Sequence, residues 1–241
     1  MSPVLRRALC VAALGAVLPG GAVAQTPADV GKNLYAVHCS ECHGPDAQGQ
    51  AGRGPSLVGV GERAADFYLR TGYMPLERPG QQPTRNPPIF TEDELQALIG
   101  FIALSGGPPV PTPHPEDGNV AEGQRLFTSH CAGCHQIVGE GGYVTGARVP
   151  PLESATAVQI AEAVRLGPYV MPVFDERQLS DAELDSLIAY VDYARHPDDR
   201  GGWSIGHLGP IPEGIVTWLL AAAVLVATCM VIGKRLGSAH E

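Results

Sequence analysis

The stretch His38-Cys39-Ser40-Glu41-Cys42-His43 decides the fold, and it returns as His130-Cys131-Ala132-Gly133-Cys134-His135. Two cysteines separated by two residues and followed at once by histidine form the attachment pattern of a c-type haem. The two thiols form thioether bonds to the vinyl groups of the porphyrin, and the following imidazole then lies beneath the ring, within reach of the iron. A helical turn through the motif gives this geometry, because residues three and four apart share one face of a helix.

The sequence around the two motifs also repeats. Adding 92 to a residue number maps the first copy onto the second, so that Gly31 corresponds to Gly123 and Tyr35 to Phe127. The duplication predicts two covalently bound haem c groups. A redox-active cysteine pair and a zinc site are the alternatives. The first normally accompanies a βαβ pattern, and no alternating strand precedes either copy. A zinc site would leave the methionines described next unexplained.

Methionine is one of the two usual sixth ligands of iron in electron-carrying cytochromes. The chain has four methionines, of which Met1 is the initiator and Met230 lies in an apolar stretch. Met74 and Met171 each follow a haem motif and precede a proline, which suits a non-helical loop because proline lacks an amide hydrogen. The alternative is that each fills a gap in a core. The predicted sites are attachment through Cys39, Cys42, Cys131 and Cys134, with iron held by His43 and Met74 and by His135 and Met171.

The net charge of −9 argues against nucleic acid as a partner, because phosphate backbones attract basic proteins. It favours partners with basic faces, or it simply keeps the protein soluble. Four of the six cysteines belong to the haem motifs, and Cys10 and Cys229 lie in the two apolar terminal stretches. A structural disulfide is therefore not expected.

The patterns predict an all-α fold with two tandem cytochrome c-type domains and one C-terminal transmembrane helix. In each domain the last helix, opened by Thr91 or Ser180 in a capping box, should cross the first helix. The predicted boundaries are a signal peptide or uncleaved anchor at 1–24, domains at 25–105 and 120–196, a proline-rich linker at 106–119, a juxtamembrane linker at 197–213, a membrane helix at 214–233 and a cytoplasmic tail at 234–241.

The two apolar ends predict export and membrane anchoring. Arg6 and Arg7 precede an apolar run and a small-residue cleavage site, Ala22-Val23-Ala24, as in a secretory signal. Residues 214–233 are uncharged and mostly apolar, and a helix of this length spans about 30 Å. Lys234 and Arg235 place the C-terminus in the cytoplasm and the haem domains on the extracytoplasmic side of the cell membrane. The helix is either a plain anchor or a contact for a neighbouring membrane helix.

Three loop features complete the analysis. A carbonyl near Pro55, and its counterpart near Pro150, is expected to accept the free N–H of the haem-ligating imidazole. His38 and His130 are expected to be polar positions near the haem edge. The proline-rich excursion from Pro75 to Pro88 lacks a counterpart in the second domain, and it is either a docking loop or variable surface.

With these elements placed, the chain resembles the dihaem cytochrome c subunit of the actinobacterial menaquinol–cytochrome c reductase, a respiratory complex III. The resemblance covers nearly everything after the signal, with no departure at a ligand position, although the N-terminus is short for the family. The motifs that carry it are Gly54-Pro55-Ser56-Leu57-Val58-Gly59-Val60-Gly61, Thr71-Gly72-Tyr73-Met74-Pro75, Pro87-Pro88-Ile89-Phe90, Gly201-Gly202-Trp203 and Gly209-Pro210-Ile211-Pro212-Glu213-Gly214.

The resemblance implies an electron-transfer subunit of an oxidoreductase, with no independent catalytic site in this chain. The first haem would take electrons from a Rieske iron–sulfur subunit, beside a cytochrome b subunit. The second would pass them to an aa3-type cytochrome c oxidase in a supercomplex. A membrane-anchored dihaem shuttle or oxidase subunit is the alternative. A dihaem peroxidase is a further one, although it needs an open iron site and each domain here supplies a methionine.

Overall fold

A computed structural model describes residues 26–144, 146–197 and 210–237 of the chain. The predicted class is confirmed, because the described residues form two mostly helical modules and one C-terminal apolar helix. The first module contains α1 (Pro27–His38), α2 (Ser40–His43), α3 (Gly61–Arg70) and α4 (Glu92–Ala103). The second module contains α5 (Val120–His130), α6 (Ala132–His135), β1 (Gly142–Val144), β2 (Ala147–Val149), α7 (Ala157–Leu166) and α8 (Asp181–Arg195), and α9 (Pro210–Gly237) follows.

The second module contains a short hairpin that the sequence patterns did not predict. Strand β1 pairs antiparallel with β2, and each strand has three residues. Strands of this length show too little alternation to produce a period-two signal. Gly141 and Gly146 have positive φ angles on either side of β1, which glycine adopts without the steric cost that a Cβ would bring. The hairpin is a local addition to a helical module.

The first and last helices of each module cross, as predicted. Helix α1 packs on α4, and α5 packs on α8. Glycine lies at both crossings: a Cβ on Gly31 would overlap the carbonyl oxygen of Ala97, and one on Gly123 would overlap that of Ser186. The two backbones can therefore touch only because these positions have no side chain.

Each module has its own hydrophobic core around this crossing. The buried residues of the first core are Tyr35, Ala65, Leu69, Phe90, Leu95, Leu98, Ile99 and Ile102. Those of the second are Leu126, Phe127, Ile160, Ala161, Val164, Leu179, Leu184, Leu187, Ile188, Tyr190 and Val191. The predicted capping boxes open both final helices. The amide of Thr91 donates to Glu94 at 2.8 Å, and the amide of Ser180 donates to Glu183 at 2.8 Å.

The segment between the modules is attached to both of them. The carbonyl of Pro108 accepts a hydrogen bond from the amide of Arg63 on α3 at 3.2 Å. Further along, the amide of His114 donates to the carboxylate of Asp185 on α8 at 2.7 Å, and a 3₁₀ turn follows at Pro115–Asp117. The predicted linker is thus held at both of its ends.

The proline-rich excursion of the first module docks on the second module. The side-chain amide of Gln82 donates to the carbonyl of Arg148 at 2.7 Å and accepts from the amide of the same residue at 3.1 Å. Arg85 donates to the side-chain oxygen of Gln159 on α7 at 2.8 Å. Of the two interpretations that the sequence left open, the structure favours a docking loop, and its docking surface belongs to the same chain.

Helix α9 is long and apolar enough to cross a membrane. Its stretch Gly214–Arg235 has a mean hydropathy of 2.6. The helix begins at Pro210, before the predicted span, and continues past Lys234 and Arg235. The predicted export signal and most of the predicted juxtamembrane linker lie outside the described residues.

We expect Gly31→Ala to lower the free energy of unfolding of the first module by about 1–3 kcal/mol, the usual cost of overpacking. Denaturant unfolding of the detergent-solubilised holoprotein, followed by circular dichroism, measures this change. Gly100→Ala is the matched control, because no atom lies within 4 Å of its Cβ position on α4. At this position the better helix propensity of alanine should raise the free energy of unfolding by up to about 1 kcal/mol. Equal stability of the two variants would contradict the close helix crossing.

Candidate haem-binding sites

Both CxxCH motifs form one helical turn directly after the first helix of their module. The amide of His43 donates to the carbonyl of Cys39 at 2.9 Å, and the amide of His135 donates to that of Cys131 at 2.9 Å. These bonds bring each histidine one turn beyond the first cysteine, which is the arrangement that thioether attachment and iron ligation require. The first cysteine of each motif also packs against its module's core.

The environment of these cysteines disfavours the two alternatives for the motif. Burial, and then the neighbouring cysteine, raises the pKa of the Cys39 and Cys131 thiols to about 11. A redox-active CxxC pair depends instead on a lowered thiol pKa. Within the described residues, metal-ligating atoms converge only at the exposed cluster His114, Glu116 and Asp117. The described cysteines and histidines of the motifs therefore do not form a zinc cluster.

The imidazole of His43 is oriented by the loop that follows the motif. Its Nδ1 lies 2.8 Å from the carbonyl oxygen of Pro55. Because a carbonyl oxygen only accepts, Nδ1 carries the hydrogen, and the lone pair of Nε2 remains free for a metal. This is the carbonyl contact that the sequence predicted.

His135 shows a weaker form of the same contact. Burial lowers the pKa of His135, while the nearby carbonyl of Pro150 acts in the opposite direction. The buried Nδ1 nevertheless lacks a well-formed hydrogen bond. Since iron binds neutral imidazole, the lowered pKa suits a ligand role. The donor set thus fits a c-type haem in both modules.

Both candidate methionines lie in non-helical segments, as predicted. The amide of Met74 donates to the carbonyl of Tyr68 at 3.1 Å, and that of Met171 donates to the carbonyl of Pro168 at 3.1 Å. Both side chains are half-buried. Met171 packs against the same core as Cys131, so the structure brings these two predicted site residues to one core. The pairing of each methionine with iron stays a prediction.

A histidine–phenylalanine contact recurs in both modules, and the sequence analysis missed it. The ring of His38 lies 5.2 Å from that of Phe90, and the ring of His130 lies 5.8 Å from that of Phe174, both edge-on. Each histidine directly precedes the first motif cysteine, and each phenylalanine precedes the last helix of its module. That matching order is the signal that could have predicted the contact.

A buried tyrosine of the first module joins the helix crossing to the haem motif. The hydroxyl of Tyr35 on α1 donates to the carbonyl of Gly44, directly after the motif, at 2.6 Å. Its ring packs against Phe101 of α4, with centroids 5.3 Å apart. The hydrogen bond ties the end of the motif to the core.

The second module makes the same connection from the opposite helix. Phe127, which replaces Tyr35 in the repeat, packs against Tyr190 of α8 with centroids 5.4 Å apart. The hydroxyl of Tyr190 donates to the carbonyl of Ile137 at 2.8 Å. The tyrosine and the phenylalanine have exchanged helices, and the hydroxyl still reaches the loop after the motif.

We expect Tyr35→Phe to destabilise the first module by about 0.5–1.5 kcal/mol, the usual net contribution of one hydrogen bond. The carbonyl of Gly44 would lose the hydroxyl and keep the amide of Ala47 at 3.2 Å as its donor. Tyr190→Phe should have an effect of similar size on the second module. Denaturant unfolding of the holoprotein measures both losses. Tyr143→Phe is the control, since this side chain is 85% exposed and should change little. A Tyr35→Phe protein as stable as the control would show that the hydroxyl contributes nothing.

Family models match both modules. Residues 28–105 match a model described as cytochrome c, and residues 118–191 match one described as cytochrome c oxidase, cbb3-type, subunit III. Cytochrome c domains of this kind imply covalently bound haem c, in agreement with the two attachment turns.

Curated relatives match nearly the whole chain. A protein of Corynebacterium diphtheriae named cytochrome bc1 complex cytochrome c subunit is 37% identical over 92% of this chain and 88% of its own length. A protein of Mycobacterium bovis with the same name is 38% identical over 85% and 77%. More distantly, a cbb3-type cytochrome c oxidase subunit CcoP of Azospirillum is 28% identical over 67% and 60%. At this identity and coverage, the chain belongs to the family of cytochrome bc1 complex cytochrome c subunits.

Proposed function

We propose that the chain is the dihaem electron-transfer subunit of a menaquinol–cytochrome c reductase, with one haem c in each module. The observation that carries this proposal is the duplicated attachment turn, Cys39–His43 and Cys131–His135, in a chain of this family. The remaining proposed ligands are Met74 and Met171.

The residues of each site have distinct tasks. When bound, haem c supplies one-electron chemistry. Cys39 and Cys42 would attach it covalently, and His43 with Met74 would hold the iron, as Cys131, Cys134, His135 and Met171 would in the second module. The contact of His43 with Pro55 keeps its Nε2 free for the metal. A methionine ligand and burial raise the reduction potential, so the protein tunes the site without a proton-transferring side chain.

The proposed electron route runs from the first module to the second. The first would accept electrons from a Rieske iron–sulfur subunit beside cytochrome b, and the second would deliver them to an aa3-type oxidase in a supercomplex. The names of the relatives support the first partnership, and the likeness to an oxidase subunit supports the second. The contacts of Gln82 and Arg85 hold the modules together, which favours transfer within one chain.

Anchoring by α9 completes the proposal. The helix would place both modules beside the membrane partners, with Lys234 and Arg235 at its cytoplasmic end. The haem modules would then face the extracytoplasmic side.

We expect Met74→Ala to lower the reduction potential of one haem, because a thioether ligand favours ferrous iron. The change should be a sizeable part of the roughly 0.8 V span that axial ligands cover. Potentiometric titration measures it, and Met171→Ala should lower the other potential. Met230→Ala, on the exposed surface of α9, is the control and should leave both potentials unchanged.

Mass spectrometry of the same proteins checks the haem count. The wild type and all three methionine variants should carry two haem groups, since the thioether bonds do not involve methionine. A wild-type chain with fewer than two would overturn the dihaem proposal. Unchanged potentials in Met74→Ala would show that another residue is the ligand.

Purification through a tagged chain in mild detergent should recover the cytochrome b and Rieske subunits. A chain truncated after Gly206 should be released as a soluble dihaem protein and should recover much less cytochrome b, because it lacks α9. Full-length chain that purifies without either subunit would favour an independent membrane-anchored shuttle. A truncated chain that stays in the membrane would indicate a second anchor.

A further inference from the structure

Two acidic side chains meet where the modules contact each other. Helix α3 of the first module packs on α7 of the second. On this contact, Glu162 is 0% exposed and Asp66 is 7% exposed. Neither carboxyl oxygen of Glu162 accepts a hydrogen bond from a described residue. Glu162 lies within hydrogen-bonding reach of the carboxyl group of Asp66. A buried carboxyl group without a donor is costly when it is ionised.

The arginine nearest to Asp66 already has its own partners. The Nε of Arg70 donates to Asp66 at 2.7 Å, and the terminal nitrogens of Arg70 donate to Glu92, also at 2.7 Å. One cation therefore serves two carboxylates, and Asp66 is the anion that Arg70 stabilises inside the interface. Arg70 lowers the pKa of Glu162, but less than burial and Asp66 raise it.

The other charged groups around Glu162 also leave its charge without a direct partner. Arg165, on its own helix, pairs with Asp181 at 2.6 Å. Arg63 of α3 faces Glu162, Arg165 and Glu176, and burial is the main cause that lowers the pKa of Arg63. Its side chain donates no hydrogen bond to Glu162 among the described contacts.

These surroundings favour the neutral acid at Glu162. Burial, and then Asp66, raises its pKa from 4.5 to about 9. Two carboxylates at short range in a dry interface cannot both be ionised cheaply, so they share a proton. A proton on Glu162 would let that oxygen donate to the carboxylate of Asp66. Such a bond would join α7 to α3, and hence one module to the other.

We propose that Glu162 is a positioning residue that holds the two modules together through a proton shared with Asp66, so that docking of the modules binds one proton. In separated modules Glu162 would face water and ionise as an ordinary carboxyl group. Between its ordinary pKa of 4.5 and its docked value of about 9, only the docked state holds the proton.

The sign of the pH dependence follows from this difference in bound protons. Docking is strongest at low pH and weakens as the pH rises through that window, by about tenfold per pH unit. The loss levels off above the docked pKa, where both states are ionised. On the proposed function, weaker docking would lengthen the path between the haems and slow transfer between them; the docking device itself does not require that role.

The test measures docking in the full, haem-loaded chain in detergent. Gadolinium(III) chelate labels on Lys32→Cys and Gln124→Cys, exposed positions on α1 and α5, report the distance between the modules by pulsed EPR. These labels survive the reductant that keeps the haems ferrous and diamagnetic. Cys229→Ser removes the free thiol of α9. Urea, at concentrations below those that unfold either module, is added until the two modules separate. The haem absorbance verifies that both modules stay folded.

In the wild type, the urea concentration that separates the modules should fall steadily from pH 5 to pH 9. Glu162→Gln keeps a donor for Asp66 without a titrating proton, so its separation midpoint should be nearly independent of pH. Glu153→Gln, an exposed carboxyl group of the same module, should behave like the wild type. The infrared band of a protonated carboxylic acid should be present at pH 7 in the wild type and absent in Glu162→Gln.

A wild-type midpoint that does not change with pH would overturn the proposal, whatever the variants do. So would a Glu162→Gln protein that keeps the wild-type pH dependence. Should Glu162→Gln fail to fold, the pH dependence of the separation midpoint in Asp66→Asn tests the proposal instead. Without the charge of Asp66, the docked pKa of Glu162 should rise less, so the pH range over which docking weakens should be narrower. An unchanged pH range would exclude a shared proton. These outcomes do not depend on which partners exchange electrons with the chain.

Discussion

The contact between two backbones at the crossing of the first and last helices supports everything else in each module. Gly31 meets the carbonyl of Ala97, and Gly123 meets that of Ser186. Any side chain at either glycine would push the helices apart. Because each haem motif begins where the first helix ends, this crossing also sets the position of the attachment turn relative to the core.

The turn is then secured from two sides. On the core side, the first cysteine of the motif packs against the core. A tyrosine hydroxyl on the same side donates a hydrogen bond to a carbonyl just after the motif histidine. On the other side, the loop after the motif places a carbonyl against the imidazole, as the carbonyl of Pro55 contacts Nδ1 of His43. The tyrosine lies on the first helix in one module (Tyr35) and on the last helix in the other (Tyr190), and in both its hydroxyl donates to a carbonyl just after the motif.

The modules also constrain each other. The loop between Met74 and α4 reaches across to the second module through Gln82 and Arg85, and the α3–α7 contact buries Glu162. The loop that carries the candidate methionine of the first module thus continues into the segment that docks the two modules. A subunit that moves electrons between two sites benefits from such coupling, because tunnelling weakens steeply with distance.

Much of each candidate site is encoded locally. The attachment turns, the capping boxes at Thr91 and Ser180 and the loop positions of Met74 and Met171 depend on residues a few positions apart, so spacing alone predicts them. Gly31 and Gly123 could be recognised because the repeat places them at equivalent points of two helices.

Other features exist only once distant segments meet. The hairpin β1–β2 is too short to show a period, and the docking of Gln82 on Arg148 joins residues far apart in the chain. Nothing near Glu162 in the sequence distinguishes it from a solvated surface carboxylate. Its burial depends on a helix of the other module, and that packing alone turns an ordinary acidic residue into a proton-binding contact.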